Sequence, residues 1–223
     1  MASSIRVFWR RLDGPVHPDD RPVFDRLKHT FNLDYPPPAF IGDIDHAPVV
    51  VLMANGGYDA KLTPTEFARP EDTVEFIEYL KGRRKAFPTS LGSYYVASSF
   101  EPWLSGGQVV LVNAIAYRSP NLSQEPLNRR VAEMLPSVAV HRHWLHTELL
   151  AEGSEGKRLV VAHRYRIWQL DRNQQVPNLL FSINPASAHL SWEMMGAIDK
   201  WLAQRRWHRD GFGLLDHHSG TAG

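Results

Sequence analysis

Two stretches constrain the fold of this chain more than any others: Val49-Val50-Val51-Leu52-Met53-Ala54 and Val109-Val110-Leu111-Val112-Asn113-Ala114-Ile115-Ala116. Both are apolar, β-branched runs without the apolar–polar alternation of a strand that has one wet face. Such strands belong to a parallel sheet covered on both sides. Two shorter runs, 158–163 and 179–183, repeat the pattern. Helix patterns lie between and after them: 73–80, 125–135, 138–150 and 191–206. Pro136 separates the middle two, and Ser137 is placed to cap the second. Met194, Met195, Ile198, Trp201 and Leu202 give the last helix an apolar face. This alternation predicts an α/β fold, a three-layer α/β/α domain with a central, mostly parallel four-stranded sheet and right-handed crossovers.

The first 36 residues are irregular and carry Pro15, Pro18, Pro22 and the start of Pro36-Pro37-Pro38. Pro22 suits a first helical turn, and a helix over 22–31 puts Phe24, Leu27 and Phe31 on one face. Residues 1–36 therefore read as an N-terminal extension packing on a single domain over 37–210, with 211–223 as a flexible tail. The apolar runs are too short to span a bilayer, and the start lacks the apolar stretch of a signal peptide. With no cysteine, the chain can hold neither disulfides nor thiolate metal sites, which fits a cytoplasmic location. The 25 Lys and Arg against 24 Asp and Glu exclude a uniformly basic coat, so any nucleic-acid contact must be local.

Ligands of open α/β sheets bind at the carboxyl ends of the strands. Residues 55–58, 113–119 and 184–191 are expected to converge there. The phosphate-loop, dinucleotide, nucleophile-elbow and HExxH strings are all missing from the sequence. What remains is polar. Asn55 ends the first run, Gly56-Gly57 reads as a sharp turn with room for a ligand, and Tyr58 offers a ring for stacking. A plain Gly-rich turn with a packed Tyr is the alternative. Asn184, Ser187, His189 and Ser191 precede the last helix, where donors and partial positive charge gather. Simple capping by Ser187 or Ser191 explains the two serines equally well.

Together these segments resemble the uracil-DNA glycosylase superfamily, nearest to its mismatch-specific branch. Pro37-Pro38-Ala39-Phe40-Ile41-Gly42 followed by Ala47 to Gly57 is similar to the first motif, a G-I-N-P-G form. Asn184-Pro185-Ala186-Ser187-Ala188-His189-Leu190-Ser191 is similar to the second, an N-P-S-type loop. Met53 and Gly56 stand where the first motif has Gly and Pro, and Ala186 where the second has Ser. The missing cysteines exclude the iron–sulfur branches.

The resemblance implies hydrolysis of the N-glycosidic bond of uracil, or a related damaged base, flipped out of DNA during repair. Asn55, Asn184 and His189 would be catalytic. Asn55 would orient water, because an amide cannot titrate as a base. Gly56, Gly57, Tyr58, Asn113, Ser187 and Ser191 would bind the substrate. Tyr117, Arg118, Ser119, Lys81 and Arg84 would meet the DNA backbone. No metal or cofactor is needed. The alternatives are a catalytically silent nucleic-acid or nucleotide-binding relative, and an enzyme acting on free nucleosides.

Other features have blander readings. Lys81, Arg83, Arg84 and Lys85, and Arg205-Arg206 with His208, are candidate phosphate contacts or solvated faces. Trp103 and Tyr94-Tyr95 suit core packing better than base stacking. His141, His143 and His146 lack the spacing of a zinc triad, and His217-His218 falls in the tail.

Overall fold

The computed structural model describes residues 2–84, 100–185 and 189–211, with side chains described as far as Arg205. Its fold is α/β. Strands β1 (Phe40–Ile41), β2 (Val49–Gly57), β3 (Val109–Ser119), β4 (Leu159–Ala162) and β5 (Leu179–Phe181) form one sheet in the order β1-β3-β2-β4-β5. β2 pairs in parallel with β3 and β4, and β4 with β5. β1 runs antiparallel to β3. The sheet is therefore mixed and five-stranded, not four-stranded. β1 has two residues, too short to show a period.

Burial follows the β-branched runs. All eleven residues of β3 and all four of β4 are buried, so both faces of the sheet are covered there. Gly42, with φ of +107°, turns the chain between β1 and β2. A Cβ there would lie 2.6 Å from Val109 O, so only glycine fits.

The helices are α1 (Ser4–Trp9), α2 (Arg21–Arg26), α3 (Leu62–Glu66), α4 (Pro70–Leu80), α5 (Glu101–Ser105), α6 (Pro126–Ala132), α7 (Pro136–Trp144), α8 (Leu150–Ser154) and α9 (Trp192–Gly211). Among the described residues none is long and apolar enough to cross a membrane. The helix expected over 22–31 stops at Arg26, because Leu27 is extended. Phe24 and Phe31 still meet, at 5.9 Å between ring centroids. The helix expected over 138–150 is α7 and α8 joined by a wide π turn, Leu145–Leu149. Ser137 does not cap α7 with its side chain. Its N–H instead donates to Asp20 Oδ1 at 2.9 Å, so a carboxylate 117 residues away closes the helix start. Tail residues 212–223 lie outside the described residues.

The N-terminal segment is part of the core. Ile5, Trp9 and Leu12 are fully buried in the main hydrophobic cluster. Arg6 is buried beside them and donates to Tyr79 O at 2.9 Å and Leu80 O at 3.1 Å, closing the carboxyl end of α4. Its Nε meets Asp45 Oδ2 at 3.0 Å. Replacing Arg6 with leucine takes the guanidinium from Leu80 O and from Asp45 Oδ2, while Tyr79 O keeps Gly82 N at 2.9 Å and Asp45 Oδ1 keeps Ser3. The variant should lose about 2 kcal/mol, read as a lower urea midpoint with unchanged slope.

Candidate functional site at the carboxyl ends of the parallel strands

From β2 the chain passes to β3 on one side, then crosses to β4 on the other. The crevice between β2 and β4 is thus the switch point, where open α/β sheets hold ligands. Leu52, Ala162 and Phe181 lie in one row across β2, β4 and β5. Asn55 and Asn184 each stand three residues beyond that row, on strands whose axes are about 10 Å apart. Between them β4 ends in His163 and Arg164, whose N–H groups both donate to Leu52 O, at 3.2 and 3.1 Å.

Asn55 is held firmly. Its Nδ2 donates to Gly56 O at 2.9 Å and to Ser119 O at 3.2 Å. Both amide protons are consumed, and among the described residues nothing donates to Oδ1. The side chain therefore presents an acceptor at the end of the sheet. Asn55 is half-buried, as is Tyr58 just past the strand.

Gly56 and Gly57 do not form the expected turn. β2 continues through them, with Gly56 opposite Arg118 and Gly57 opposite Ser119. Asn55 lies opposite Ile115, so β3 carries two extra residues, Ala116 and Tyr117, in a bulge. Gly56 is needed for close packing, since a Cβ would sit 2.6 Å from Ala116 O and 2.7 Å from Pro38 Cγ. Both glycines are buried and present no open surface to a substrate.

Four other expected site residues are likewise internal. Asn113 is fully buried and donates from Nδ2 to Pro38 O at 2.6 Å, tying the proline run to β3. Tyr117 donates to Asp20 Oδ2 at 2.7 Å and accepts from His17 N at 3.1 Å. Burial pushes its phenol well above the usual range. Arg118 is 1% exposed; it donates to Pro36 O at 3.3 Å and Gly57 O at 3.1 Å, and lies over the Phe67 ring. Ser119 is buried and donates to Glu125 Oε2. Tyr117, Arg118 and Ser119 therefore build the protein and do not face a DNA backbone.

On the far side of the crevice, Asn184 and His189 are exposed. Ser187 lies outside the described residues. Ser191 caps α9, accepting at its Oγ from Met194 N at 3.4 Å. Trp192, the first residue of α9, is 83% exposed. Arg164 donates to Pro185 O and so reaches the start of this loop, and burial lowers its pKa. His163 is fully buried with Nδ1 3.0 Å from Ser182 Oγ. Trp168 donates to Met53 O at 2.7 Å, beneath the Asn55 end of β2. Sequence reading missed His163, Arg164 and Trp168. The available signal was their place at the end of the third apolar run.

Lys81, Arg83 and Arg84 are each paired locally, two of them sharing one carboxylate. Lys81 lies 3.8 Å and Arg83 3.1 Å from Glu78, and Arg84 pairs with Glu75. Arg205 donates to Lys157 O at 2.5 Å. Trp103 is packed and donates to Asp199 Oδ1 at 2.9 Å. His141 is a core residue, with Nε2 accepting from Trp9 Nε1 at 2.8 Å and Nδ1 donating to Asn113 O at 2.7 Å. Tyr94, Tyr95, Lys85, His217, His218 and the side chains of Arg206 and His208 fall outside the description. Searches of known protein families, of curated proteins and of solved structures return no match to this chain.

Proposed function

We propose that this chain is a hydrolase of N-glycosidic bonds, of the uracil-DNA glycosylase type, with its site between Asn55 and the 184–191 loop. The observation that carries this reading is the pinned amide of Asn55. With Nδ2 spent on Gly56 O and Ser119 O, Oδ1 is fixed as an acceptor. An acceptor there receives a hydrogen bond from a water and so turns a lone pair of the water oxygen towards the sugar. Departure of the base leaves negative charge on its ring. Asn184 and His189, just ahead of the positive end of α9, are the donors suited to that charge. Tyr58 supplies a ring beside the base.

The choice between DNA and a smaller substrate turns on the cations. The pairing of Lys81, Arg83 and Arg84 with Glu75 and Glu78, and the burial of Arg118, favour a second reading in which the same site hydrolyses free nucleosides or small nucleotides. A single experiment tests both. The protein is incubated with uracil in single-stranded DNA, uracil in a mismatched duplex, and deoxyuridine, and released uracil is measured. Release from DNA, abolished in Asn55→Ala, supports the first reading. Release from deoxyuridine alone supports the second. Salt-sensitive DNA binding without release points to a silent relative. Neither binding nor release overturns all of these.

A further inference from the structure

We infer that Glu125 is the proton acceptor of this site, an inference that rests on the hydrolase reading above. Hydrolysis needs a group that takes a proton from water, and the amide of Asn55 cannot. The first carboxylates the chain reaches after β2 and β3 are Asp59, Glu66 and Glu125. Asp59 is committed to a turn, with Oδ1 accepting from Lys61 N and Leu62 N, both at 2.8 Å. Those bonds hold its carboxyl below the usual range, which makes it a poor base. Glu66 is buried, 3.8 Å from the Arg118 guanidinium.

Glu125 is different. Ser119 links it to Asn55: the Ser119 carbonyl accepts from Asn55 Nδ2, and the Ser119 hydroxyl donates to Glu125 Oε2. Asn128 Nδ2 donates to the same oxygen at 3.1 Å. Asn128 is itself fully buried and fixed by Thr30 N at 2.8 Å. Both donors grip Oε2, and among the described residues none takes Oε1. Glu125 also precedes α6 without capping it by its side chain. A half-buried carboxylate is thus held by two donors at one oxygen and shares one neighbour, Ser119, with the residue that orients water.

The step balances. The water oxygen bonds to the anomeric carbon, the bond from that carbon to the base nitrogen breaks, and its electron pair leaves with the base. The released water proton goes to Glu125 Oε1 and returns through solvent to the departed base. The sugar keeps the new hydroxyl.

The test compares wild type with Glu125→Gln, Glu125→Asp and Glu125→Ala on the substrate that wild type cleaves. Gln keeps an acceptor for Ser119 and Asn128, so the fold should be retained, which a thermal melt checks. Base release by Glu125→Gln should fall by about 100-fold or more in kcat with little change in KM, and the acid limb of the pH–rate profile should vanish. Glu125→Asp should keep part of the rate, and added formate should rescue Glu125→Ala. Wild-type rates in Glu125→Gln, or no rescue by formate in a folded Glu125→Ala, would overturn the inference while leaving the hydrolase reading intact. A wild type that releases no base overturns both.

Discussion

Acidification from pH 7 to pH 4 should remove about 3 kcal/mol of folding stability through His141 alone. The imidazole is fully buried, and both nitrogens are assigned by their partners. Nε2 accepts from Trp9 Nε1, so the ring proton is on Nδ1, facing Asn113 O. A second ring proton has no place without breaking the Trp9 bond. Burial accordingly lowers its pKa from 6.5 to about 4. Above 6.5 the imidazole is neutral in both folded and unfolded chains, and the full stability is present. Between 6.5 and about 4 the unfolded chain binds a proton that the folded chain does not, so stability falls as pH falls. That gap, at about 1.4 kcal/mol for each pH unit, gives the stated loss. His17, also buried, adds in the same direction, because burial lowers its pKa too. Asp20 opposes it, since burial raises that carboxyl. Urea midpoints at pH 7, 5.5 and 4.5 measure the slope. His141→Gln can keep an acceptor for Trp9 and a donor for Asn113 O, and cannot titrate. Its stability should be much flatter with pH, and parallel curves for the two proteins would show that His141 is not responsible.

Why the sheet could be read from sequence, and the site only in part, follows from the range of the forces involved. The runs at 49–54, 109–116, 158–163 and 179–183 announce strands because each residue is locally suited to a buried pleat. β1 leaves no such trace, as its two residues are held by pairing with Val112 and Leu111 far along the chain. The Gly56-Gly57 pair looks like a turn from its own composition. Both are strand: the bulge in β3 and the side of Pro38 leave no room for a Cβ at Gly56, and Gly57 continues the ladder opposite Ser119. Arg118 looks like a surface cation. It is buried because the carbonyls of Pro36 and Gly57 converge on it, a meeting of segments that local pattern does not encode. The same holds for Trp9 and His141, 132 residues apart. The places of Asn55 and Asn184 at the carboxyl end of the sheet were legible because strand ends in parallel sheets have predictable places. Glu125 was not, since its link to Asn55 runs through the backbone and hydroxyl of Ser119.

Gly56→Ala should therefore damage fold and site together, by about 3 kcal/mol and about 100-fold in rate. The added Cβ meets Ala116 O at 2.6 Å and Pro38 Cγ at 2.7 Å. Neither neighbour can retreat. Ala116 is inside the fully buried β3, and Pro38 is held through its carbonyl by Asn113 Nδ2. β2 must then part from the bulge in β3, and the bond from Asn55 Nδ2 to Ser119 O stretches with it. Asn55 Oδ1 loses its fixed direction at the same moment as the link to Glu125 loosens. Proline at this place would meet the same two obstacles. Gly196→Ala is the control. It lies in α9 with nothing within 4 Å of its added Cβ, and should gain about 0.5–1 kcal/mol from helix propensity without touching activity. Thermal melts and base release on both variants decide the matter. A Gly56→Ala protein as stable and as active as wild type would mean that β2 and β3 do not close on each other at the bulge.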